Sequence, residues 1–561
     1  MTTLRLLRCL PMVALVSLIA CASGEEAAPS AGAGTTGGTI VIATAGEPDN
    51  LLPPITVSGS GLQVNDLIYQ KLAKIGDSLN TVGDGGFTPD LARRWSWSAD
   101  SLAVTFVLDS AAHWHDGTPV RAADVAFSFA LVTDPRTASP AGPLLTNVAT
   151  VTANDSFTIV ARFRQRHPEN FYQLVHQMYV LPQHLLNDVD RSQLAASPLA
   201  TMPVGSGAFR LTQWVPTQRV TLVADTTADR RRALLDRVVF TIAPDPVTAF
   251  TRVATGEADV FEAVRPDRVA EVRDNPQLRL VVGPSLDYNY LGFNLRDASG
   301  RDVHPIFGDR TVRRALTMAT DRRSIVANIF DSLAVQARGP FTAASSINDP
   351  TLAPLPYDVD SANALLDAAG WLRGTDGIRQ KDGQRLAFGM LTPSSSTARM
   401  RAAVLLQEQF RRVGVEAKVD AVDYPGFIAR TGKRRFDTII NQWSPDPGPG
   451  SVNDTWTSVA AVPGGNNFDS YRNPSFDAQV DSGLASFEPA TMRAHFARAW
   501  RILTDDAAAI WLAEPKRVMA VHKRIQTAGI RPGAWWAGLA RWSIPADQRI
   551  ARDLPAAGPA R

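Results

Sequence analysis

The chain contains 561 residues, of which 45% are hydrophobic and 20% are charged, a balance typical of a globular protein. Because a single hydrophobic core rarely grows beyond about 250–300 residues, this length predicts two or more lobes. The 57 basic residues almost match the 55 acids, and the formal charge of +2 excludes a large basic surface for nucleic acid. No segment repeats at a fixed period, which excludes a solenoid or a propeller.

The N-terminal residues have the pattern of a secretory signal, in which Arg5 and Arg8 precede an apolar run from Leu10 to Ala20. A helix that crosses a bilayer needs about 20 residues, so this shorter run is not predicted to remain in a membrane. The run ends Leu18-Ile19-Ala20-Cys21, which resembles the bacterial lipobox and predicts lipidation of Cys21 as a membrane anchor. The alternative is an ordinary signal peptide with a chance cysteine.

The two cysteines of the chain, Cys9 and Cys21, both lie in this segment. Cleavage before Cys21 would leave a mature domain without a disulfide, so its stability must come from a large core. Residues 21–38 are almost all small or polar and predict a flexible tether. Gly32–Gly37 within it matches GxGxxG, but no strand precedes it, so we do not interpret it as a nucleotide loop.

The predicted elements of the first half are mainly strands. A helix is expected after the turn at residues 116–119, because Val125 and Phe129 then stack four residues apart. Short apolar or alternating runs bounded by turn residues predict the strands Gly38–Ala43, Val104–Leu108, Thr158–Phe163, Ala208–Thr212, Arg219–Ala224 and Arg237–Ile242.

In the second half, apolar stripes at helical spacing predict helices over residues 312–319, 362–369, 402–413 and 492–503. Between residues 386 and 440 the pattern alternates, with strands at Leu386–Leu391, Val415–Val419 and Phe436–Ile440 separated by helices at Thr397–Val413 and Tyr424–Arg430. Such alternation predicts a parallel α/β sheet, in which ligands bind beyond the carboxyl ends of the strands.

The segment 441–448 is expected to leave the last of these strands as a loop. It carries an aromatic ring at Trp443, a hydroxyl at Ser444 and a carboxylate at Asp446 within four residues. This composition predicts a ligand-binding loop, and the alternative is a surface turn with a half-buried tryptophan.

Motifs in fixed order along the chain resemble one family. The matching segments are Pro89–Ser128 with its His115-Asp116-Gly117 turn, Leu181–His184, Pro203–Phe209, Thr255–Asp259, Leu291–Asn294, Val312–Arg322 and Ala368–Trp371. From about residue 39 to 525 the chain is similar to bacterial extracellular solute-binding proteins of family 5, the oligopeptide, dipeptide and nickel type.

The resemblance implies an α/β fold of the two-lobed periplasmic-binding-protein type II, with a discontinuous first lobe, an inserted subdomain and hinge strands. The boundaries that it implies are a signal peptide at 1–20, a tether at 21–38, first-lobe segments at 39–75 and 203–286, the inserted subdomain at 76–202, the second lobe at 287–513, and a return to the first lobe with a C-terminal tail at 514–561.

The resemblance also implies the function. The chain is expected to be the exported substrate-binding lipoprotein of an ABC importer, held at the periplasmic or cell-surface side of a membrane as a monomer. It would capture a short peptide in the interlobe cleft and deliver it to the permease subunits. Ligand would favour the closed state because it contacts both lobes only there. The chain is expected to need no cofactor and no metal.

Several site residues follow from the family pattern. Asp446, placed after Trp443 and Ser444, would bind the α-ammonium of a peptide, and Trp443 would form an aromatic wall. The other expected ligand contacts are Glu47, Tyr288 and Asn294, with Asn453 and Trp456 as weaker candidates. The segment Pro447-Gly-Pro-Gly departs from the family's more polar run, and the sequence indicates no basic partner for a peptide carboxylate.

Two alternatives remain open. The same fold could bind a nickel chelate, an oligosaccharide or another small solute. A lipoprotein hydrolase is disfavoured, because HExxH, GxSxG and Walker motifs are absent from the sequence. His113 and His115 could suggest a metal site, but His115 belongs to the family's turn, and we interpret the pair as structural.

Overall fold

The computed structural model describes residues 37–227, 233–243, 245–297 and 299–553. The predicted signal peptide, Cys21 and most of the tether lie outside the described residues. Within the described ranges, no helix combines the length and the apolar character needed to cross a membrane.

The strands of the described chain are β1 Thr39–Thr44, β2 Ala73–Ile75, β3 Phe87–Pro89, β4 Ala92–Trp97, β5 Ala103–Leu108, β6 Val148–Ala153, β7 Thr158–Phe163, β8 Phe209–Val215, β9 Arg219–Ala224, β10 Arg237–Ile242, β11 Val260–Phe261, β12 Leu278–Gly283, β13 Tyr288–Phe293, β14 Ala334–Gln336, β15 Leu372–Arg373, β16 Arg379–Lys381, β17 Gln384–Arg385, β18 Ala387–Pro393, β19 Glu416–Val422, β20 Thr438–Trp443, β21 Ala509–Pro515 and β22 Arg517–His522.

The α-helices are α1 Gly59–Ile68, α2 Ala122–Thr133, α3 Asn170–Gln177, α4 Gln183–Leu186, α5 Pro246–Ala254, α6 Val269–Asp274, α7 Arg310–Met318, α8 Arg322–Phe330, α9 Val359–Ala368, α10 Thr397–Arg412, α11 Tyr424–Gly432, α12 Gly450–Trp456, α13 Pro474–Leu484 and α14 Pro489–Asp505.

The first lobe is built on a seven-stranded sheet in the order β12-β22-β11-β1-β10-β9-β8. Strand β1 is parallel to both β10 and β11, whereas the other pairs are antiparallel. Alternate residues of β1 face opposite sides, so Ile40 and Ile42 enter the core beneath α1, and Ala43 enters the core beneath α5 and α6. Both faces of this sheet are therefore covered.

The second lobe is built on a six-stranded sheet in the order β14-β21-β13-β20-β18-β19. One face packs against helices α7 to α10, and the other packs against α12 to α14 through Tyr288, Tyr290 and Trp511. Strand β13 is buried along its whole length, as expected for a central strand covered on both faces.

A four-stranded antiparallel sheet in the order β4-β5-β7-β6 has its own core, to which α2 and α3 contribute. It forms the central part of the segment between β1 and β8 and lies beside the first lobe. The chain passes from the first lobe to the second through residues 284–287 and returns at Lys516. These two connections are bonded to each other, since the Ser285 hydroxyl donates to the Pro515 carbonyl at 2.5 Å.

Most predicted elements agree with the structure within a few residues, and Thr158–Phe163, Arg219–Ala224 and Arg237–Ile242 agree at both ends. The predicted parallel sheet is correct for β18, β19 and β20 only. Strands β13, β14 and β21 pair antiparallel with their neighbours. Strand β13 follows the first connection between the lobes and β21 precedes the second, whereas β14 follows α8 within the second lobe. The prediction of a loop at residues 441–443 is wrong, since β20 continues to Trp443.

Candidate functional site

A cavity of about 480 Å³ lies between the lobes, beside the two connections. From the second lobe it is lined by the segment 444–447, which follows β20. The opposite wall comes from α1, from the end of α3 and from the segment 531–536 beyond β22. Parallel strands β18 and β20 thus place a loop at their carboxyl ends against the first lobe, as expected for ligand sites in such sheets.

The segment after β20 is fixed by a residue of the connection between the lobes. Asp287 accepts a hydrogen bond from the Ser444 hydroxyl at 2.6 Å and another from the Gln442 amide at 3.3 Å. Arg517, the first residue of β22, lies 3.9 Å from the same carboxylate. Asp287 therefore joins the loop to both lobes at the point where they meet.

Asp446 presents its carboxylate to this cavity. Desolvation by the surrounding protein raises its pKa, the charge of Asp454 adds to that effect, and the charge of Lys71 opposes it. In the part of the chain that the structure describes, no hydrogen bond or ion pair engages this carboxylate. Asp446 is thus available to a ligand that carries a cationic group.

The facing wall contains a carboxylate whose partners are all supplied by the protein. Asp66 accepts hydrogen bonds from the Tyr179 hydroxyl at 2.7 Å and the Trp536 indole at 2.8 Å, and lies 3.5 Å from the ammonium of Lys71. Burial alone would raise the pKa of Asp66, but Lys71 and these two donors outweigh it and lower the pKa to about 2. Lys71 also lies over the Tyr179 ring at 4.3 Å.

Two further basic side chains line the same wall. Burial and the charge of Lys71 hold the pKa of His176 well below its ordinary value, so His176 is uncharged near neutral pH. Arg531 donates to the Ile75 carbonyl at 2.8 Å, and its pKa is lowered by burial, with the carboxylates of Asp66 and Asp77 offsetting part of this.

The Pro-Gly-Pro-Gly segment allows a close contact between the lobes. Glu169, 4% exposed and bonded to the Thr81 hydroxyl at 2.7 Å, reaches across from the base of α3. A Cβ at Gly448 would lie 2.5 Å from its Oε1, and a Cβ at Gly450 would lie 3.1 Å from its Oε2. Burial raises the pKa of Glu169 to about 7, with hydrogen bonds from Thr81 and the Gly450 backbone opposing it. The glycines are therefore required by the approach of a first-lobe carboxyl group.

Of the six predicted ligand contacts, the structure places Asp446 and Ser444 together on the cavity wall. Trp443 lies just before them and stacks on Phe468 with ring centroids 5.4 Å apart. Glu47 is half-buried elsewhere in the first lobe and accepts a hydrogen bond from the Thr217 backbone at 2.7 Å.

The other predicted contacts lie inside the second lobe. The Tyr288 hydroxyl accepts a hydrogen bond from the Trp456 indole at 2.9 Å in the core. Asn294 is 1% exposed and donates to the Phe436 and Arg434 carbonyls, which ties the end of β13 to the turn before β20. Asn453 donates to Asp454 at 3.3 Å. These side chains are not part of the cavity lining.

The residues of the first-lobe wall were not predicted from the sequence. Asp66, Lys71, Tyr179, Arg531 and Trp536 are spread over more than 450 residues, so no local motif joins them. His115, in contrast, accepts a hydrogen bond from Gly205 and contacts the Gly207 carbonyl, which ties two family motifs together. Within the described ranges, no cluster of three or more His, Cys, Asp or Glu residues has the arrangement of a metal site.

The fold and this interlobe cavity define a two-lobed solute-binding protein. The chain belongs to the bacterial extracellular solute-binding proteins of family 5, whose sequence profile, described as family 5 Middle, matches residues 86–462. The motifs identified in the sequence therefore reflect membership of this family.

Curated relatives and solved structures agree with this assignment. The chain is 24% identical over 543 residues to the oligopeptide-binding protein AppA of Bacillus subtilis, covering 95% of this chain and 97% of AppA. It is 27% identical over 531 residues to a putative ABC transporter peptide-binding protein of Brucella melitensis, covering 92% of this chain and 95% of that protein.

Among solved structures, AppA of Bacillus subtilis in complex with a nonapeptide superposes with a TM-score of 0.76 at 23% identity, covering 91% of this chain and 99% of AppA. NikZ of Campylobacter jejuni in complex with Ni(L-His) gives a TM-score of 0.77 at 23% identity, covering 90% of this chain and 99% of NikZ. At this identity, the superpositions establish the shared fold.

Proposed function

We propose that the protein is the substrate-binding component of an ABC importer, and that it captures a short peptide in the interlobe cavity for delivery to a membrane permease. The observation that carries this proposal is the unpartnered carboxylate of Asp446 at the wall of a cavity of about 480 Å³. A volume of this size suits a small ligand. The names of the curated relatives support peptide as the ligand class.

In this proposal the α-ammonium of the peptide binds Asp446 as a charge-assisted hydrogen-bond donor. Ser444 and Trp443 hold the loop in place through Asp287 and Phe468. The ligand contacts both lobes only when they are closed, so its binding energy shifts the population towards the closed state. The closed state would be recognised by the permease, and the protein itself would catalyse no reaction.

The sequence supports export and lipid anchoring as further parts of the proposal. The segment Leu18-Ile19-Ala20-Cys21 would be processed so that Cys21 carries the lipid, and residues 22–38 would separate the lipid from the first lobe. We propose that the lobes divide near residues 286 and 513, which the connections at 284–287 and Lys516 support. We propose a monomer, since each chain contains both walls of the cavity.

A thermal-shift screen of the purified protein with di- to pentapeptides tests the proposal. A ligand at 100 times its dissociation constant stabilises a protein by about 2.7 kcal/mol, which raises its melting temperature. We expect peptides with a free α-amino group to raise the melting temperature and their N-acetylated forms to have little effect. If no peptide acts while a nickel–histidine chelate or an oligosaccharide does, the peptide assignment is wrong.

A further inference from the structure

The segment between β1 and β8 touches the second lobe outside the cavity lining. The guanidinium of Arg166, just before α3, lies over the Phe487 ring of the second lobe at 4.9 Å. Val82 packs against the second-lobe core to which α12 to α14 contribute. Glu169 connects these two contacts, because it directly precedes α3 and accepts a hydrogen bond from Thr81, the neighbour of Val82. Glu169 therefore lies at a contact that exists only while the lobes are together.

The second lobe covers the carboxyl group of Glu169 with the loop after β20. This loop approaches so closely that a Cβ at Gly448 would lie 2.5 Å from Glu169 Oε1. The hydrogen-bond donors of the carboxyl group are the Thr81 hydroxyl and the Gly450 backbone, one from each side of the contact. Among the described residues no cation forms an ion pair with Glu169. Its carboxyl group is thus buried between the lobes without a compensating charge.

The titratable groups around Glu169 come from both sides of the contact. Burial raises the pKa of Glu169, and the negative charges of Asp454 and Asp446, both from the second lobe, add to this effect. His167 accepts a hydrogen bond from the Glu169 backbone at 3.2 Å, and burial lowers its pKa, so it is uncharged near neutral pH. Burial raises the pKa of Tyr172, with the charges of Asp446 and Glu169 adding to it, so Tyr172 is neutral as well. None of these four groups carries a positive charge near neutral pH, so Glu169 can lose its charge here by taking up a proton.

The conditions that favour this proton depend on closure of the lobes. With the lobes apart, the loop at Gly448 would no longer cover Glu169, water would reach the carboxyl group, and Asp446 and Asp454 would move away with the second lobe. A charged carboxylate is tolerated in such surroundings, whereas burial and like charges disfavour it in the closed state. The closed state therefore binds the proton more strongly, and closure and protonation favour each other.

We propose that the protein takes up a proton at Glu169 when its lobes close on a ligand, so that mildly acidic surroundings favour peptide capture. This inference rests on the proposed function and adds to it a regulation of the same site by pH. The proton comes from the solvent and binds one oxygen of the Glu169 carboxyl group. Peptide affinity is highest below the ordinary pKa of 4.5 and falls as the pH rises through about 7, the pKa of Glu169 in the closed state.

Calorimetric titration tests this proposal with the di- to pentapeptide that raises the melting temperature most in the thermal-shift screen. At pH 6, in two buffers that differ in ionisation enthalpy, we expect the wild-type protein to take up between about 0.3 and 0.9 proton per peptide bound. The α-amino group of the peptide is already protonated at this pH and contributes no proton. Peptide affinity should be about five- to twentyfold higher at pH 5.5 than at pH 7.5.

In Glu169→Gln the proton uptake should fall below about 0.1 per peptide, and the affinities at the two pH values should agree within about twofold. Asp469→Asn is the matched control. Burial raises the pKa of Asp469 to about 8, but this residue is enclosed within the second lobe, so closure leaves its surroundings unchanged. Asp469→Asn should therefore keep the wild-type uptake. Asp446 cannot produce the uptake, because an ammonium ligand favours its ionised form and would release a proton from it.

A wild-type protein that binds the peptide without taking up a proton, and equally well at both pH values, would overturn the inference and leave the proposed function intact. The same conclusion would follow if Glu169→Gln took up as much proton as the wild type. If no peptide of the screen binds at either pH, the proposed function fails as well. The wild-type titration requires no variant and decides the question even if Glu169→Gln does not fold.

Discussion

Two clusters of charge in this protein are built in opposite ways. In the first lobe, Arg524 bonds to Asp259 and to Asp553, with its side chain 3% exposed and both acids 0% exposed. In the interlobe cavity, Asp446 and Arg531 are open to the cavity and have no ion-pair partner among the described residues. The charges of the first cluster are paired within the protein, and we call this cluster closed. The charges of Asp446 and Arg531 in the cavity are not paired among the described residues.

The closed cluster links distant parts of the chain. Asp259, from the Thr255–Asp259 motif, accepts from the Val41 backbone at 2.9 Å, and Asp553 accepts from the Thr39 backbone at 2.8 Å. Arg524 also donates to the Thr39 carbonyl at 2.9 Å. Because buried charge is tolerated only when it is paired and hydrogen-bonded, a completely matched cluster indicates a structural role. Charges left unmatched at a cavity indicate a ligand.

The largest expected effect comes from removing the guanidinium of Arg524 from the closed cluster. Arg524→Met should lower the free energy of unfolding by about 3–5 kcal/mol, because Asp553 would remain buried without its cation and Asp259 would keep only the more exposed Arg552. Denaturant unfolding monitored by circular dichroism measures this value. Arg541→Gln, at an exposed position, should change it by less than about 0.5 kcal/mol. Equal values for the two variants would show that the cluster is not structural.

Glu169 is intermediate between the fully paired charges of the closed cluster and the unpaired charges of the cavity. It has hydrogen-bond donors but no ion-pair partner among the described residues. Its pKa is raised to about 7 in the folded protein from an ordinary value of 4.5, so the folded state binds the proton more strongly. Its contribution to stability is therefore present below pH 4.5 and is lost as the pH rises through about 7. Asp66, with a pKa lowered to about 2, stays ionised throughout this window.

We expect the wild-type protein to be more stable at pH 5 than at pH 8, and Glu169→Gln to lose up to about 3 kcal/mol of that difference. Asp469 and Glu514, whose pKa values are raised to about 8 and about 7, contribute with the same sign in both proteins. The comparison of the two pH profiles therefore isolates Glu169. Parallel profiles would contradict its buried contact with the second lobe.

A smaller effect, on peptide affinity, is expected from substituting Gly448, the glycine that leaves room for the Glu169 carboxyl group. Gly448→Ala places a Cβ 2.5 Å from Glu169 Oε1 and 3.3 Å from Tyr172, so the loop or the carboxyl group must shift. Peptide affinity should fall about tenfold, a change of about 1.4 kcal/mol, because the loop carries Asp446. Gly432→Ala, where nothing lies within 4 Å, is the control and should leave peptide affinity unchanged. Calorimetry of both variants provides the comparison.

The smallest effect is expected at Glu47, which the family resemblance predicted as a ligand contact. Its carboxylate is engaged with the Thr217 backbone, and it is not part of the cavity lining. Glu47→Gln should therefore change peptide affinity by less than twofold. A larger loss of peptide affinity, measured by the same titration, would show that Glu47 contacts the ligand. The binding site would then be larger than the cavity at Asp446.

Different parts of the fold were predictable to different degrees, for physical reasons. Strands such as Arg219–Ala224 and helices such as α10 show their periodicity locally, and the strand–helix alternation from 386 to 440 revealed three parallel strands. Strand β13, in contrast, is apolar on both faces, a pattern that does not indicate which strands are its neighbours. Its partners β20 and β21 lie more than 140 and more than 210 residues further along the chain, so no local pattern indicates the pairing.

The candidate site divides in the same way. The position of Asp446 at the cavity wall was predictable, because Trp443, Ser444 and Asp446 lie within four residues at the end of a strand. Lys71 and Arg531 were not, because their proximity depends on α1 and the C-terminal segment both packing on the first-lobe sheet. Glu169 and Gly448 form a contact between the lobes that no sequence pattern predicted.

The most direct test of the account is calorimetric titration of Asp446→Asn and wild type with the tripeptide that raises the melting temperature most. The variant should bind about 100-fold more weakly, since a charged partner of the ligand is lost at a cost of about 2–5 kcal/mol. Its ligand-free stability should stay within about 0.5 kcal/mol of wild type, because the carboxylate has no partner in the protein. Peptide affinity within twofold of wild type would contradict the assignment of Asp446 and, with it, the account of the cavity.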